Sequence, residues 1–156
     1  MPGHSDHMKL EEEIRQKAFR SEHHKGALNI IYTANWLSAK HGAQLKAHGI
    51  TPEQYNILRI LRGRYPEPAT VNLLIERMLN KMSNASRLVD KLILKKLVVR
   101  QTCKDDRRAV DVMITAKGLA LLKRLDKEES NWLKDLQTLS KPEVTTLNKL
   151  LDKLRG

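Results

Sequence analysis

The sequence predicts a mainly α-helical fold that carries one small β-hairpin. Helix-forming residues dominate the 156-residue chain, whereas 7 Gly and 5 Pro are few and aromatic residues make up 4%. Apolar residues recur at helical spacing along most of the chain, and this period changes to two between residues 97 and 114. A chain of this length is expected to fold as one domain.

The first segments are a short tail and a long helical stretch. Residues 1–8, MPGHSDHM, have no periodicity and end like the remnant of an expression tag, so we expect them to be disordered or tag-derived. Residues 9–156 form the predicted domain. Its helical stretch runs from about Leu10 to Ala47, and glycine favours breaks at Gly26 and at His41-Gly42.

A capping box begins the next predicted helix. Thr51-Pro-Glu-Gln54 combines an N-cap hydroxyl, a proline at the first helical position and a glutamine three residues after the cap. The helix is expected to end at Gly63. Its buried face should carry Ile57, Leu58 and Leu61.

Two short amphipathic helices follow, separated by a tight turn. The first is expected to end near Leu79 to Lys81, and its apolar residues are Val71, Leu74, Ile75 and Met78. The second has Ser83 as its predicted N-cap, and its buried residues are Ala85, Leu88, Val89 and Leu92. This spacing leaves Asn84, Arg87 and Lys91 on the opposite face, with Lys95 beyond them as a phosphate contact or solvated charge. The pair is typical of a helix-turn-helix.

The change to period two predicts a hairpin. Leu97–Thr102 and Ala109–Ile114 are rich in β-branched residues, and the second run alternates Val110, Val112 and Ile114 inward with Asp111 and Met113 outward. The tip, Cys103–Arg108, is charged and has no glycine turn, so an extended loop is expected. Such a wing suits contact along a phosphate backbone.

The charge distribution favours a nucleic-acid partner over a membrane surface. The net charge is +11, and ten Lys and Arg face three acidic residues between Arg77 and Arg108. The second short helix also exposes small polar residues and arginine at its N-terminal end, where a recognition helix meets base edges.

These segments resemble the MarR family over about residues 51–122. The resemblance rests on SNASRLVDKL at 83–92, LVVR at 97–100 and DDRRAVDVMITAKG at 105–118. The last segment fits the wing signature of the family, in which Asp106 and Arg108 are followed by Ile114-Thr115. Three features depart from the family pattern: Lys96 replaces the usual glycine before the first wing strand, Ile75 replaces a small residue, and the turn lacks its common glycine.

The resemblance implies a winged helix-turn-helix transcription regulator, such as a repressor, that binds double-stranded DNA. The recognition helix would enter the major groove, while Arg108, oriented by Asp106, would enter the minor groove. The alternative for Asp106 and Arg108 is a surface ion pair that stabilises the hairpin. The predicted DNA-binding residues are Ser83, Asn84, Ser86, Arg87, Lys91, Lys104, Asp106, Arg107 and Arg108.

Two further helices are predicted at the C-terminal end. Thr115 can cap a helix that reaches about Leu136 and carries Leu119, Leu122 and Leu125. A second capping box, Ser140-Lys-Pro-Glu143, opens a helix with Val144, Leu147, Leu151 and Leu154. Residues 10–47 and 119–155 are therefore interpreted as dimerisation helices around a winged-helix lobe, 51–118, with a monomeric cap as the alternative. The resemblance implies a homodimer on a pseudo-palindromic operator.

The sequence does not predict an enzyme. His23-His24, His41 and His48 have no acidic or cysteine ligands at metal-site spacing and are expected to be exposed helix residues, so no catalytic residue, metal or cofactor is predicted. Cys103 is expected to be a plain loop cysteine, with a redox sensor beside Lys104 and Arg107 as the alternative. We found neither a signal-peptide pattern nor an apolar run near the roughly 20 residues that span a bilayer, so a cytoplasmic protein is expected.

Two functional classes remain open from the sequence. The first is an operator-binding regulator released by a small aromatic or phenolic ligand, which the family resemblance places in a pocket between the dimer helices and the DNA-binding lobe. The second is a winged-helix module for protein or RNA binding without its own operator. Base-edge side chains Asn84, Ser86 and Arg87 favour the first class, and RNA modules would require aromatic stacking residues that this region lacks.

Overall fold

Seven α-helices and three strands are observed in the residues that the computed structural model describes, which are 8–102, 105–106 and 110–156. The first elements are α1 (Leu10–Glu13), α2 (Glu22–Lys46), α3 (Pro52–Arg64), β1 (Ala69–Thr70), α4 (Val71–Arg77) and α5 (Ala85–Leu94). The remaining elements are β2 (Val98–Thr102), β3 (Val110–Ile114), α6 (Ala116–Leu133), a 3₁₀ helix (Lys134–Thr138) and α7 (Lys141–Arg155). The chain divides into two compact units, one ending at His41 and the other beginning at Gly42.

The first unit consists of α1 and most of α2. Lys25 of α2 forms an ion pair with Glu11 of α1, and the hydroxyl of Tyr32 donates to Glu13 Oε2 at 2.7 Å. The predicted helix breaks were wrong, because α2 continues through Gly26 and Gly42 and the interruption lies between α1 and α2. A single glycine costs a helix only about 1 kcal/mol, which the surrounding Ala, Leu and Lys residues offset.

The hydrophobic core of the second unit lies under helices α4 and α5 and under the sheet. Its fully buried side chains come from the end of α2, from α3, α4, α5 and α6, and from β2 and β3. The largest of them are Leu45, Ile57, Leu58, Leu61, Leu74, Leu92, Leu122, Val89, Val98 and Val112. Helix α5 is anchored to this core through its buried face.

The capping box predicted at Thr51 is confirmed. Thr51 Oγ1 accepts from the Gln54 backbone N–H at 3.2 Å, and Gln54 Oε1 accepts from the Thr51 N–H at 3.2 Å. The helix ends at Arg64, one residue beyond the predicted Gly63.

The sheet has three antiparallel strands in the order β1-β3-β2. Strands β2 and β3 form the predicted hairpin, in which Val98 pairs with Ile114 and Thr102 with Val110. The two-residue strand β1 was not predicted; it adds to the other edge of β3 through the pair Ala69 and Val112. The hydroxyl of Thr70 then caps α4 by accepting from Leu73 N–H at 3.1 Å.

Helix α6 begins where the wing ends. Thr115 caps it as predicted, accepting from the Gly118 N–H at 3.1 Å, and its hydroxyl donates to the Lys96 carbonyl at 2.8 Å. A Cβ at Gly118 would lie 2.5 Å from the Leu97 carbonyl oxygen, so only glycine lets the wing and α6 approach this closely. The α-helix ends at Leu133 and continues as the 3₁₀ helix, rather than running to the predicted Leu136.

An ion-pair cluster joins α6 to α3. Asp126 accepts from Arg62 Nη1 at 2.7 Å and from Arg59 Nη1 at 3.1 Å. The hydrogen bond from Arg62, together with the positive charges of both arginines, lowers the pKa of the Asp126 carboxyl below its ordinary value.

Helix α7 starts at the predicted N-cap, Ser140. The Glu143 carboxylate accepts from the Ser140 hydroxyl and from the Ser140 backbone N–H, each at 2.7 Å, and these two hydrogen bonds lower the pKa of Glu143. None of the α7 residues is buried. None of the described helices is both long enough and apolar enough to cross a membrane.

Candidate nucleic-acid interface

Helices α4 and α5 are joined by a turn whose backbone is held at several points. The Leu79 N–H donates to Asn56 Oδ1 of α3 at 2.9 Å. The Met82 N–H donates to Asn80 Oδ1 at 3.0 Å, and the Ser83 N–H donates to the Asn80 carbonyl at 3.2 Å. The path of the chain into α5 is therefore fixed by local bonds and by α3.

The N-cap of α5 is Asn84, not the predicted Ser83. Asn84 Oδ1 accepts from the Arg87 N–H at 3.0 Å. Serine and asparagine are both strong N-cap residues, so two adjacent candidates could not be separated by residue type. Ser83 lies in the turn and is half-buried.

Helix α5 has the two faces that its sequence predicts. Ala85, Val89 and Leu92 are at most 2% exposed and pack in the core. The opposite side is exposed and carries Ser86, Arg87, Asp90 and Lys91. The helix therefore presents two basic side chains and a hydroxyl from a backbone that the core anchors.

The predicted apolar face of α4 is correct at three of its positions and wrong at Ile75. Leu74 and Met78 are buried and Val71 is half-buried, but Ile75 is 42% exposed. Leu73, which was not predicted, packs against the core instead. In a helix this short, the cap at Thr70 and the packing set the orientation, so spacing alone does not select between Leu73 and Ile75.

An ion pair that sequence reasoning missed connects α5 to the wing. Arg100 Nη2 of β2 lies 2.7 Å from Asp90 Oδ1 of α5. The two side chains are 40% and 58% exposed. The available signal was that Asp90 is the only acid in α5 and that a basic residue lies in the following strand.

The environment of Lys95 differs from the sequence prediction, which was a phosphate contact or a solvated charge. Its ammonium group donates to the Gly49 carbonyl and to Gln54 Oε1, the latter at 2.9 Å. The Lys95 carbonyl accepts from Lys117 Nζ at 3.0 Å. These bonds hold the C-terminal end of α5 against the α2–α3 turn and the start of α6.

Strand β3 has the predicted alternation from Asp111 to Ile114, whereas Val110, predicted to face inward, is only half-buried. Val112 and Ile114 are buried, whereas Asp111 and Met113 are half-buried on the other side of β3. Asp105 and Asp106 are exposed. The other predicted tip residues, Cys103, Lys104, Arg107 and Arg108, lie outside the described residues.

His48 is not the exposed helix residue that was predicted. Its Nε2 lies 2.9 Å from Glu128 Oε2 of α6, and its side chain is 17% exposed in the turn after α2. Gln44 donates to the Glu128 carbonyl beside it at 2.9 Å. Within the described ranges, no group of three or more His, Cys, Asp or Glu residues could hold a metal ion.

Comparisons with known proteins show which family the chain is similar to. A family model described as the MarR family matches residues 48–109, which include α3, β1, α4, α5 and β2. A MarR transcription factor from Planctomyces limnophilus has 28% sequence identity and a TM-score of 0.66, over 86% of this chain and 98% of that one. Residues 48–109 therefore match the MarR family, and the chain shares the fold of a MarR transcription factor.

Two further solved structures share the MarR fold. A variant of E. coli MarR in complex with operator DNA is 23% identical, with a TM-score of 0.74 over 94% of this chain and 99% of that one. BpsR from Bordetella bronchiseptica, whose DNA binding is regulated by 6-hydroxynicotinic acid, is 17% identical, with a TM-score of 0.74 over 85% and 99%. No curated protein sequence matches the chain significantly.

The chain therefore has the fold of MarR-family transcription regulators. The mainly α-helical winged fold expected from the sequence is confirmed by these likenesses and by the observed hairpin. The α4–turn–α5 segment has the arrangement of a helix-turn-helix, in which α5 is the second helix.

Proposed function

We propose that this chain is a sequence-specific transcription regulator of the MarR type that binds double-stranded DNA as a homodimer. The observation that carries the proposal is the exposed face of α5, where Ser86, Arg87 and Lys91 project from a helix with a buried opposite face. Solved relatives of the same fold include a complex with operator DNA.

Arg87 is the proposed principal base contact. It lies in the first turn of α5, the end of a recognition helix that meets base edges in the major groove. A guanidinium can donate two parallel hydrogen bonds to guanine O6 and N7. Asn84 Oδ1 is engaged in the cap, which leaves its amide group to donate to DNA, and Ser86 and Lys91 complete the surface.

The wing is proposed to contact the flanking backbone and minor groove. Strands β2 and β3 form a five-residue ladder that leads to the tip, and Asp106 is exposed there. In this proposal Arg108 enters the minor groove and Asp106 orients it, as the sequence predicted, and the predicted DNA-binding residues Lys104 and Arg107 are now assigned to phosphate contacts. A narrow minor groove has an enhanced negative potential that favours an inserted arginine.

The homodimer is supported by apolar side chains of α7. Leu147, Leu150 and Leu154 are 39%, 59% and 68% exposed, although they lie on a regular, capped helix. Leu139 and Pro142 lie beside these leucines. Together with Leu147 and Leu150 they line an open depression of about 400 Å³. A second copy that covers this surface would give two recognition helices related by a two-fold axis, which suits a pseudo-palindromic operator.

A small effector is proposed to release the operator. The support is the likeness to BpsR, whose DNA binding is regulated by 6-hydroxynicotinic acid. The proposed effector class is an aromatic acid or phenolic compound. Titration of a protein–operator complex with a panel of such compounds should identify members that lower operator affinity, whereas non-aromatic acids of equal charge should have no effect.

Selection of binding sites from random duplex DNA tests the function directly. The purified full chain should enrich a pseudo-palindrome whose half-sites are about one helical turn apart. An Arg87→Ala variant selected in parallel should enrich sites with relaxed preference at one base pair of each half-site. Recovery of no common sequence by the unmodified chain would contradict the proposal.

A further inference from the structure

Two large apolar side chains are almost completely exposed in the turn that leads into the recognition helix. Leu79 is 90% exposed and Met82 is 92% exposed. The turn is not loosely held, because the N–H groups of both residues donate to asparagine side chains at 2.9 and 3.0 Å. The backbone thus presents both side chains to solvent from fixed positions.

Met82 is the better placed of the two residues for contact with DNA. It lies two residues before the N-cap Asn84, at the end of α5 that meets base edges, whereas Leu79 lies nearer the end of α4. No acidic residue lies between Arg77 and Asp90, while Lys81 and Arg87 flank Met82 in the sequence. This positive surrounding is complementary to a polyanion.

We infer that Met82 is a specificity-determining residue that contacts the 5-methyl group of a thymine in the major groove. The inference rests on the proposed function, since it needs α5 to lie in that groove. It adds an apolar contact to the polar readout by Arg87.

The chemistry of the groove supports this assignment. The thymine 5-methyl group is the apolar feature by which A·T and T·A pairs are distinguished in the major groove, and apolar side chains recognise it. Methionine is unbranched and has a polarisable sulfur, so it adapts its shape to such a partner. Burial of one methyl group is expected to raise affinity about fourfold for each half-site.

Parallel site selection is the first test. The unmodified chain, Met82→Ala and Leu79→Ala are each used to select sites from random duplex DNA. We expect one thymine in each half-site to be enriched by the unmodified chain and by Leu79→Ala, but not by Met82→Ala. Both substitutions replace side chains that are at least 90% exposed, so thermal unfolding should be almost unchanged.

Replacement of that thymine by 2′-deoxyuridine is the second test, because it removes only the methyl group. The substituted operator should bind the unmodified chain about fourfold more weakly per half-site, whereas Met82→Ala should bind both operators equally. This double-mutant cycle isolates the contact between Met82 and the methyl group.

The outcomes separate this inference from the function on which it rests. Enrichment of a common site by the unmodified chain, with the same thymine preference in Met82→Ala, would overturn the role of Met82 and leave the regulator intact. Loss of the preference in Leu79→Ala instead would also overturn it. Failure of the unmodified chain to enrich any site would contradict the proposed function itself.

Discussion

Helices α5 and α7 are both regular and both begin with a clear cap, but their apolar faces have different surroundings. In α5 the apolar residues Ala85, Val89 and Leu92 are at most 2% exposed. In α7, which is described in full, no residue is buried and Leu150 is 59% exposed. The described part of the chain therefore covers the apolar face of α5 but not that of α7.

This difference shows which apolar helix faces are covered by other parts of the same chain. Local signals determine where both helices begin, whereas burial depends on partners. The core of the second unit supplies those partners for α5, so the polar and basic face of α5 stays exposed and is the side that we propose to contact DNA. The α7 leucines form an apolar surface of the kind that marks a protein interface, and we assign it to a second copy.

The largest expected effect comes from truncating the buried face of α5. Leu92→Ala should lower the free energy of unfolding by about 2–5 kcal/mol, because Leu92 is 0% exposed and the truncation leaves a cavity. Chemical denaturation monitored by circular dichroism at two protein concentrations measures this loss, which should be present at both.

Leu150→Ala on α7 is the matched control for that substitution. It removes the same atoms from a side chain that is 59% exposed in the chain, so it should act by weakening the dimer. Its effect on unfolding should therefore depend on protein concentration. A loss equal to that of Leu92→Ala at every concentration would contradict the contrast between the two helices.

The next effect concerns the exposed face of α5. Arg87→Ala should weaken binding to the selected operator by about 1–3 kcal/mol and weaken non-specific binding much less, because a base contact is lost. Fluorescence anisotropy with specific and scrambled duplexes at one salt concentration measures both affinities. Lys123→Ala, which removes an equal charge from the exposed side of α6, is the control and should leave the specificity ratio unchanged.

A smaller effect is expected at Lys96, the residue after the C-cap of α5. Lys96 has a φ of 58°, a left-handed conformation that costs a residue with a Cβ more than it costs glycine. Lys96→Gly should therefore raise the free energy of unfolding by about 0.5–1 kcal/mol, after the greater flexibility of unfolded glycine is subtracted. Thermal unfolding checks the sign.

Gly49→Ala provides the opposite change at a similar backbone position. Gly49 has a φ of 72° and no atom would lie within 4 Å of an added Cβ, so any destabilisation reflects the backbone alone. It should be about 1 kcal/mol. Destabilisation by Lys96→Gly would show that the lysine side chain contributes more than its backbone strain removes.

The smallest effect is expected at the ion-pair cluster between α3 and α6. Asp126→Asn should lower stability at neutral pH by about 0.5–1 kcal/mol, since the Asp126 side chain is 40% exposed and solvent screens the pair. The folded-state pKa is lowered below 3.8, so this contribution is present above 3.8 and is lost as the pH falls through the folded value.

Denaturation of Asp126→Asn and of the unmodified chain across this pH range tests the linkage. The two stabilities should converge at the acid end. Asp152→Asn on α7 is the control, because that carboxylate is 74% exposed in its pair with Arg155 and should contribute little at any pH. A constant difference between the two proteins down to the lowest pH would rule out the charge of Asp126 as its cause.

Sequence reasoning succeeded where a local signal is sufficient. The caps at Thr51, Thr115 and Ser140 each have a hydroxyl followed by a favourable residue three positions later or by a helix-forming segment, and all three helices begin there. The period-two segment likewise predicted β2 and β3. The polar face of α5 followed from apolar spacing, since four or more apolar positions define one side of a ten-residue helix.

Sequence reasoning failed for structural features that depend on residues far apart in the chain. Strand β1 has two residues and exists only through its pairing with β3, so it leaves no pattern in the sequence. The contacts of Lys95 with Gly49 and Gln54 join positions more than 40 residues apart. The same holds for the contact of His48 with Glu128. Side-chain partners of this kind depend on the packed fold and cannot be inferred from periodicity.

Sedimentation equilibrium of the full chain, alone and with a duplex carrying one selected operator, tests the central claim most directly. The account predicts a two-chain species at micromolar concentration and two chains on each operator. Leu147→Asp combined with Leu150→Asp should shift the free protein toward one chain, because it places charges on the apolar face of α7. A soluble single chain at micromolar concentration that binds the operator as a monomer would contradict the account.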